Sequence, residues 1–124
     1  MTPPLALLLY EKLLPGTQLV NRLQDLGWRV QVLHDEGTLA GAAEEHKPLL
    51  VFADLASSRK NVRDAITALR QNEKTRHVPV IAFTADQDKK AFDAALTAGA
   101  TLVANDSAIL QHLSQFIDQA LSEF

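Results

Sequence analysis

The sequence predicts an α/β fold, a three-layer sandwich in which one parallel sheet of five strands lies between two layers of helices. Three observations lead to it. Short apolar runs alternate with segments of helical periodicity five times along the chain. The links between them are short, which requires parallel pairing through right-handed crossovers. The length, 124 residues, suffices for one hydrophobic core and not for two, so the chain reads as a single domain over 1–124.

The elements follow in order. Leu5-Ala6-Leu7-Leu8-Leu9-Tyr10 is continuously apolar, as a strand buried on both faces is, and Pro15-Gly16 is expected to end that segment. Leu19, Val20, Leu23 and Leu26 then stand at helical spacing, with Gly27 placed to cap the helix carboxyl end. Val30 and Val32 alternate with Arg29 and Gln31, the period of a strand nearer the edge of the sheet. Thr38 is expected to cap an Ala-rich helix that ends before Pro48. Leu49 to Ala53 form a second continuous apolar run, closed by Asp54.

Val62, Ile66 and Leu69 mark the third helix, and Val78 to Phe83 the fourth strand, with Pro79 near its start and Thr84-Ala85 at its end. Ala91, Phe92, Ala95 and Leu96 make the fourth helix, Gly99-Ala100 a turn, and Thr101 to Ala104 the fifth strand. Ile109, Leu113, Phe116, Ile117 and Leu121 predict one final helix. Polar residues that close buried strands, Asp54 and Thr84 above all, fall on the carboxyl edge of the sheet, where open α/β sheets carry their sites.

Composition excludes several functions. With no cysteine there is no disulfide framework, thiolate metal site or Cys nucleophile. A net charge of -3, with twelve scattered basic residues, argues against nucleic acid as a partner. The amino-terminal apolar run lacks a basic flank and is too short for a signal or a membrane span, so a cytoplasmic protein with no membrane contact is expected. His34, His46, His77 and His112 have no metal-ligand spacing, Arg59-Lys60 and Lys89-Lys90 read as solvated helix starts, and the glycines form no phosphate-binding loop.

Five β/α units in this length resemble the flavodoxin-like fold with strand order 2-1-3-4-5. Within it, Pro48-Leu49-Leu50-Val51-Phe52-Ala53-Asp54-Leu55 resembles the third strand of CheY-like response-regulator receiver domains, which ends in the phosphoacceptor aspartate; Asp54 is the matching residue. Thirty positions later, Thr84-Ala85 is similar to the family's hydroxyl-Ala pair, and Gly99-Ala100 and Leu26-Gly27-Trp28 resemble two of its junctions. Each motif is common alone; their order and spacing cover essentially the whole chain. The resemblance implies a bacterial two-component or phosphorelay signalling module, not an enzyme, without an output domain.

The same alignment implies a degenerate, pseudo-receiver-like site. Moving a phosphoryl group onto a carboxylate joins two anions and needs dense positive charge, which in the family comes from Mg2+ and a lysine. The acidic pair that would hold the metal aligns with Tyr10-Glu11, leaving Glu11 and Asp54 as a weakened set for Mg2+. The lysine position, fifty-two after the acceptor, is taken by Asp106, and the aromatic switch position by Val103, beside the switch-like Thr84. A carboxylate in place of an ammonium opposes an incoming phosphate.

Three readings stay open. The first is a module that acts by protein–protein binding, with a histidine kinase or an output protein, through its fourth helix, fifth strand and fifth helix, and with a homodimer as a further possibility. The second is a working phosphoacceptor in which Lys12 supplies the missing cation. The third is a small flavodoxin-like ligand-binding domain or enzyme using the same edge. Beside them stand structural readings, with Asp54 as a turn or helix cap and Thr84 as a strand-end hydroxyl on backbone.

Overall fold

The computed structural model describes residues 4–9, 13–33, 38–55, 61–84 and 89–122. Strands β1 (Leu5–Leu9), β2 (Arg29–Leu33), β3 (Leu50–Asp54), β4 (Val80–Thr84) and β5 (Leu102–Asn105) alternate with helices α1 (Leu13–Asp25), α2 (Leu39–His46), α3 (Asn61–Gln71) and α4 (Lys89–Ala98), followed by α5 (Asp106–Gln111) and α6 (Leu113–Ser122). All four strand pairings are parallel, in the order β2-β1-β3-β4-β5. This is the flavodoxin-like sandwich that the alternation of runs and helices predicts.

The two kinds of apolar pattern have separate causes. Strands β3 and β4 are buried throughout, and β1 from Ala6 onward, so both strand faces must be apolar. The edge strand β2 exposes Arg29 and Gln31, which accounts for its alternation and leaves charge on an edge that would otherwise pair with another chain.

Strand alternation divides the core between the two sides of the sheet. On one side Ala6, Leu8, Leu50, Phe52, Ile81, Phe83 and Ala104 pack against Leu19 and Leu23 of α1 and against Ile109, Leu113, Ile117 and Ala120 of α5 and α6. On the other, Leu7, Leu9, Val51, Ala53 and Val80 meet Leu39 and Ala43 of α2 and Val62, Ala65, Ile66 and Leu69 of α3. Ala82 meets Ala95 of α4 there as well.

Gly27 ends α1 as expected. Its φ of 90° allows the Gly27 N–H to reach the Gln24 carbonyl and the Trp28 N–H to reach the Leu23 carbonyl, each at 3.0 Å, while Trp28 and Leu23 join the same apolar cluster. Gly99 (φ 123°) closes α4 in the same way, with Ala100 N–H donating to the Ala95 carbonyl at 3.0 Å.

Four expectations need correction. Pro15-Gly16 does not end a segment but lies within α1, because a first-turn N–H has no intrahelical acceptor and proline loses nothing there. Thr38 stands at the start of α2 with helical dihedrals, φ −95° and ψ −6°, and its side chain makes no capping bond, since a capping residue must be extended. The fourth strand starts at Val80, because the Val78 N–H is spent in a turn on the Thr75 carbonyl. The final helix is two helices, divided at His112 (φ −124°, ψ 33°); Ile109, Leu113 and Ile117 keep one apolar stripe across the break, which hides it from a reading of spacing.

Candidate functional site

The carboxyl ends of β3, β4 and β5 bring together Asp54, Thr84, Asn105 and Asp106. Asp54 is the last residue of β3 and 1% exposed, in register with Phe83. The pairing with β4 continues one residue past the strand, since Leu55 N–H donates to the Phe83 carbonyl at 2.8 Å. Thr84 ends β4, 2% exposed, in register with Asn105 at the end of β5. Asp54 shares the strand parity of Leu50 and Phe52, on the α1, α5 and α6 side, whereas Thr84 shares that of Val80 and Ala82, on the α3 and α4 side. Two polar residues are thus buried at one edge, from adjacent strands. Burying such groups is costly unless they are satisfied or used.

The end of β5 departs from what a phosphate site wants. Asn105 is extended (φ −76°, ψ 148°) and its Oδ1 accepts the Ser107 N–H at 2.9 Å, the bond of a helix N-cap. Asp106 is then the first residue of α5 and half-buried. A carboxylate in a first turn lies in the favourable field of the helix amino end. The residue at the place where the resemblance implies a lysine therefore has a structural use as an acid.

Val103 lies on β5 in register with Ala82 and half-buried, packed against Ala82, Ala95 and Ala100. A branched aliphatic side chain there has no ring to move between an inward and an outward position. Tyr10, Glu11, Lys12 and Ala85 lie outside the described residues, so the candidate acidic pair and the candidate replacement cation are not part of this geometry. Among the described residues no three His, Asp or Glu side chains gather into a metal-holding group. Asp54 alone, a single carboxylate, does not make the oxygen set that magnesium takes. His46, His77 and His112 are exposed, and His34 lies outside the described residues.

The polar cluster that the sequence does not disclose lies at the opposite edge. Arg70, at the end of α3, donates from Nε to the Gly99 carbonyl at 2.7 Å, from Nη1 to the carbonyls of Arg76 (2.7 Å) and Val78 (2.6 Å), and from Nη2 to Thr101 Oγ1 at 3.0 Å. Burial pulls its pKa down from the ordinary arginine value, but a guanidinium so far above neutrality keeps its charge. Thr67 Oγ1 donates to the Ala98 carbonyl at 3.1 Å, and buried Thr75 to the Leu69 carbonyl at 2.8 Å. No sequence pattern marks an arginine in a last helical turn as different from a solvated one.

Neither a family model nor a curated protein matches this sequence. Solved structures do match. A candidate response regulator from Chloroflexus aurantiacus J-10-fl is 19% identical, with 97% of this chain and 98% of that chain covered and a TM-score of 0.88. The receiver domain of the sensor histidine kinase PA1611 from Pseudomonas aeruginosa PAO1, solved with a magnesium ion coordinated in its active-site cleft, is 22% identical over 97% of this chain and 98% of that one, with a TM-score of 0.86. A response regulator from Thermotoga maritima is 20% identical over the same shares, with a TM-score of 0.82. At these identities the likeness is one of fold: the chain has the receiver fold along nearly its whole length.

Proposed function

We propose that this chain, folded as receivers are, works as one receiver-like signalling domain over 1–124 that acts by binding a protein partner, with phosphorylation of Asp54 impaired or absent. One observation carries the reading. Where phosphoryl transfer onto Asp54 would need a cation, the end of β5 offers Asn105, committed to capping α5, and Asp106, an acid held in the first turn of that helix. The half-buried Val103 supports it, since an aliphatic residue in that packing has no ring to rotate in response to a phosphate. The partner is a histidine kinase or an output protein, met through α4, β5 and the final helical segment, α5 with α6, and the domain itself is not an enzyme.

The experiment is incubation with acetyl phosphate and magnesium, read by intact mass. The expected result is an unmodified protein. Substantial phosphorylation that Asp54→Asn abolishes would overturn the proposal in favour of an unorthodox phosphoacceptor, for which Asp54 and Thr84, buried at the ends of adjacent strands, are the residues to build on. In that case Glu11 and Asp54 would be the first candidates to hold Mg2+, and Lys12 to supply the cation.

A further inference from the structure

The helices are not equally tied to the sheet. Each of the others sends at least one buried leucine or isoleucine into the core: Leu23 from α1, Leu39 from α2, Ile66 from α3, Ile109 from α5 and Ile117 from α6. Among the described side chains of α4 only Ala95 is buried, set against Ala82, Ala100 and the half-buried Val103. Phe92 is half-buried and Leu96 is 48% exposed, and neither belongs to a core cluster. A buried leucine removes several times the apolar area that one alanine methyl does, so α4 gains least from its place on the sheet.

Its two ends differ. The first turn holds Lys89 and Lys90 and no acid, so positive charge stands at the positive end of the helix dipole. The carboxyl end is clamped. Gly99 N–H donates to the Leu96 carbonyl at 3.1 Å and Ala100 N–H to the Ala95 carbonyl at 3.0 Å. From α3, Thr67 Oγ1 donates to the Ala98 carbonyl at 3.1 Å and Arg70 Nε to the Gly99 carbonyl at 2.7 Å. A helix of 10 residues is too short to persist without packing, so once Ala95 leaves the sheet the helix unwinds rather than swinging out whole.

We infer that α4 is a switch element: it unwinds from its amino end as far as the α3 clamp, while the sheet and the other helices stay folded. Phe92 and Leu96, one turn apart, form one surface only while the helix is wound. The inference rests on the partner-binding reading for what the switch controls, since α4 belongs to the proposed face, and a partner that reads the wound form draws the equilibrium toward it. The unwinding itself is a property of the domain alone and is measured without partner or phosphate, so its failure is separate from that of the acetyl phosphate test.

Native-state amide hydrogen exchange of the full chain, read residue by residue, tests it. Protection of the amides of residues 93–96 is expected to be roughly a hundredfold below that of β3, β4 and α3, and below that of Gly99 and Ala100, which the clamp holds. Two variants separate opening of α4 from unfolding of the whole. Ile117→Val, on the other side of the sheet, should lower protection of β3 and β4 roughly fivefold and leave residues 93–96 unchanged, because wound and unwound forms both keep that core. Lys89→Glu should raise protection of residues 93–96 roughly threefold. Equal protection of α4 and the strands, or a common fall in Ile117→Val, would overturn the inference. Gly99 and Ala100 as open as residues 93–96 would overturn the clamp, and no response to Lys89→Glu would overturn unwinding from the amino end.

Discussion

Asp54 presents the sharpest energetic question among single residues, because a carboxylate 1% exposed at the end of a buried strand is kept where its charge is costly. Asp54→Asn keeps the shape and removes the charge. Urea melts at pH 7 in chelator are expected to show the variant more stable, by about 1 kcal/mol. A less stable variant would mean that the charge of Asp54 is held by a partner worth more than its burial costs. Glu44 behaves in the opposite way. Its folded-state pKa is lowered by the Asn72 amide and the Lys74 ammonium, so whatever it adds to stability is present above the ordinary carboxylate pKa and fades as pH falls through the lowered value. Glu44→Gln is therefore expected to melt slightly earlier in urea than the parent at pH 6, with the difference closing as pH falls through the lowered value. Asp54 and Thr84 could be found in the sequence because each follows a run of apolar residues that only a buried strand explains. Asp106 could be numbered but not understood: its role as the first residue of a helix depends on Asn105 acting as the cap, and that depends on where β5 stops.

At the scale of elements, Arg70 and Gly99 form one device. The guanidinium joins the end of α3 to the turn before β4 and to the turn between α4 and β5, and the side chain passes so close to Gly99 that a Cβ there would run into its Cγ. Arg70→Lys, which keeps the charge and loses the fork, is expected to cost about 2 kcal/mol in urea melts. Gly99→Ala meets both the positive φ and the arginine and should cost roughly 2 kcal/mol or more. In an Arg70→Ala background, which lacks the Cγ, Gly99→Ala should cost measurably less, and a double-mutant cycle reads the difference. Additive costs would show that the contact carries no energy. The strands were legible because burial on both faces leaves an uninterrupted apolar run, as in Leu49 to Ala53. The start of α1 was not, since Pro15-Gly16 reads as a stop although a first helical turn accepts it, and neither was the break at His112, which the i, i+4 spacing of Ile109, Leu113 and Ile117 carries straight across.

For the molecule as a whole, the sheet order was legible from the alternation of elements, because short crossovers of one hand leave few ways to arrange five parallel strands. The division of labour between the two sheet edges was not, since it depends on which residues end up at strand entrances: Leu49 belongs to the same apolar run as Val51 and is nevertheless outside the sheet. The order β2-β1-β3-β4-β5 also sets a timetable for synthesis. Of these five strands β1 is made first, yet it lies inside the sheet, with β2 on one side and β3 on the other. Until β3 has emerged, one whole edge of β1 has no hydrogen-bonding neighbour, and Leu7 and Leu9 lack the apolar layer that α3 later supplies. Nascent chains halted before Leu50 should therefore be cut freely by protease within Leu5–Leu9, and protection of that strand should appear only once β3 and α3 are clear of the exit tunnel. Until β3 is made, a strand that ends up inside the sheet is the one most in need of a chaperone.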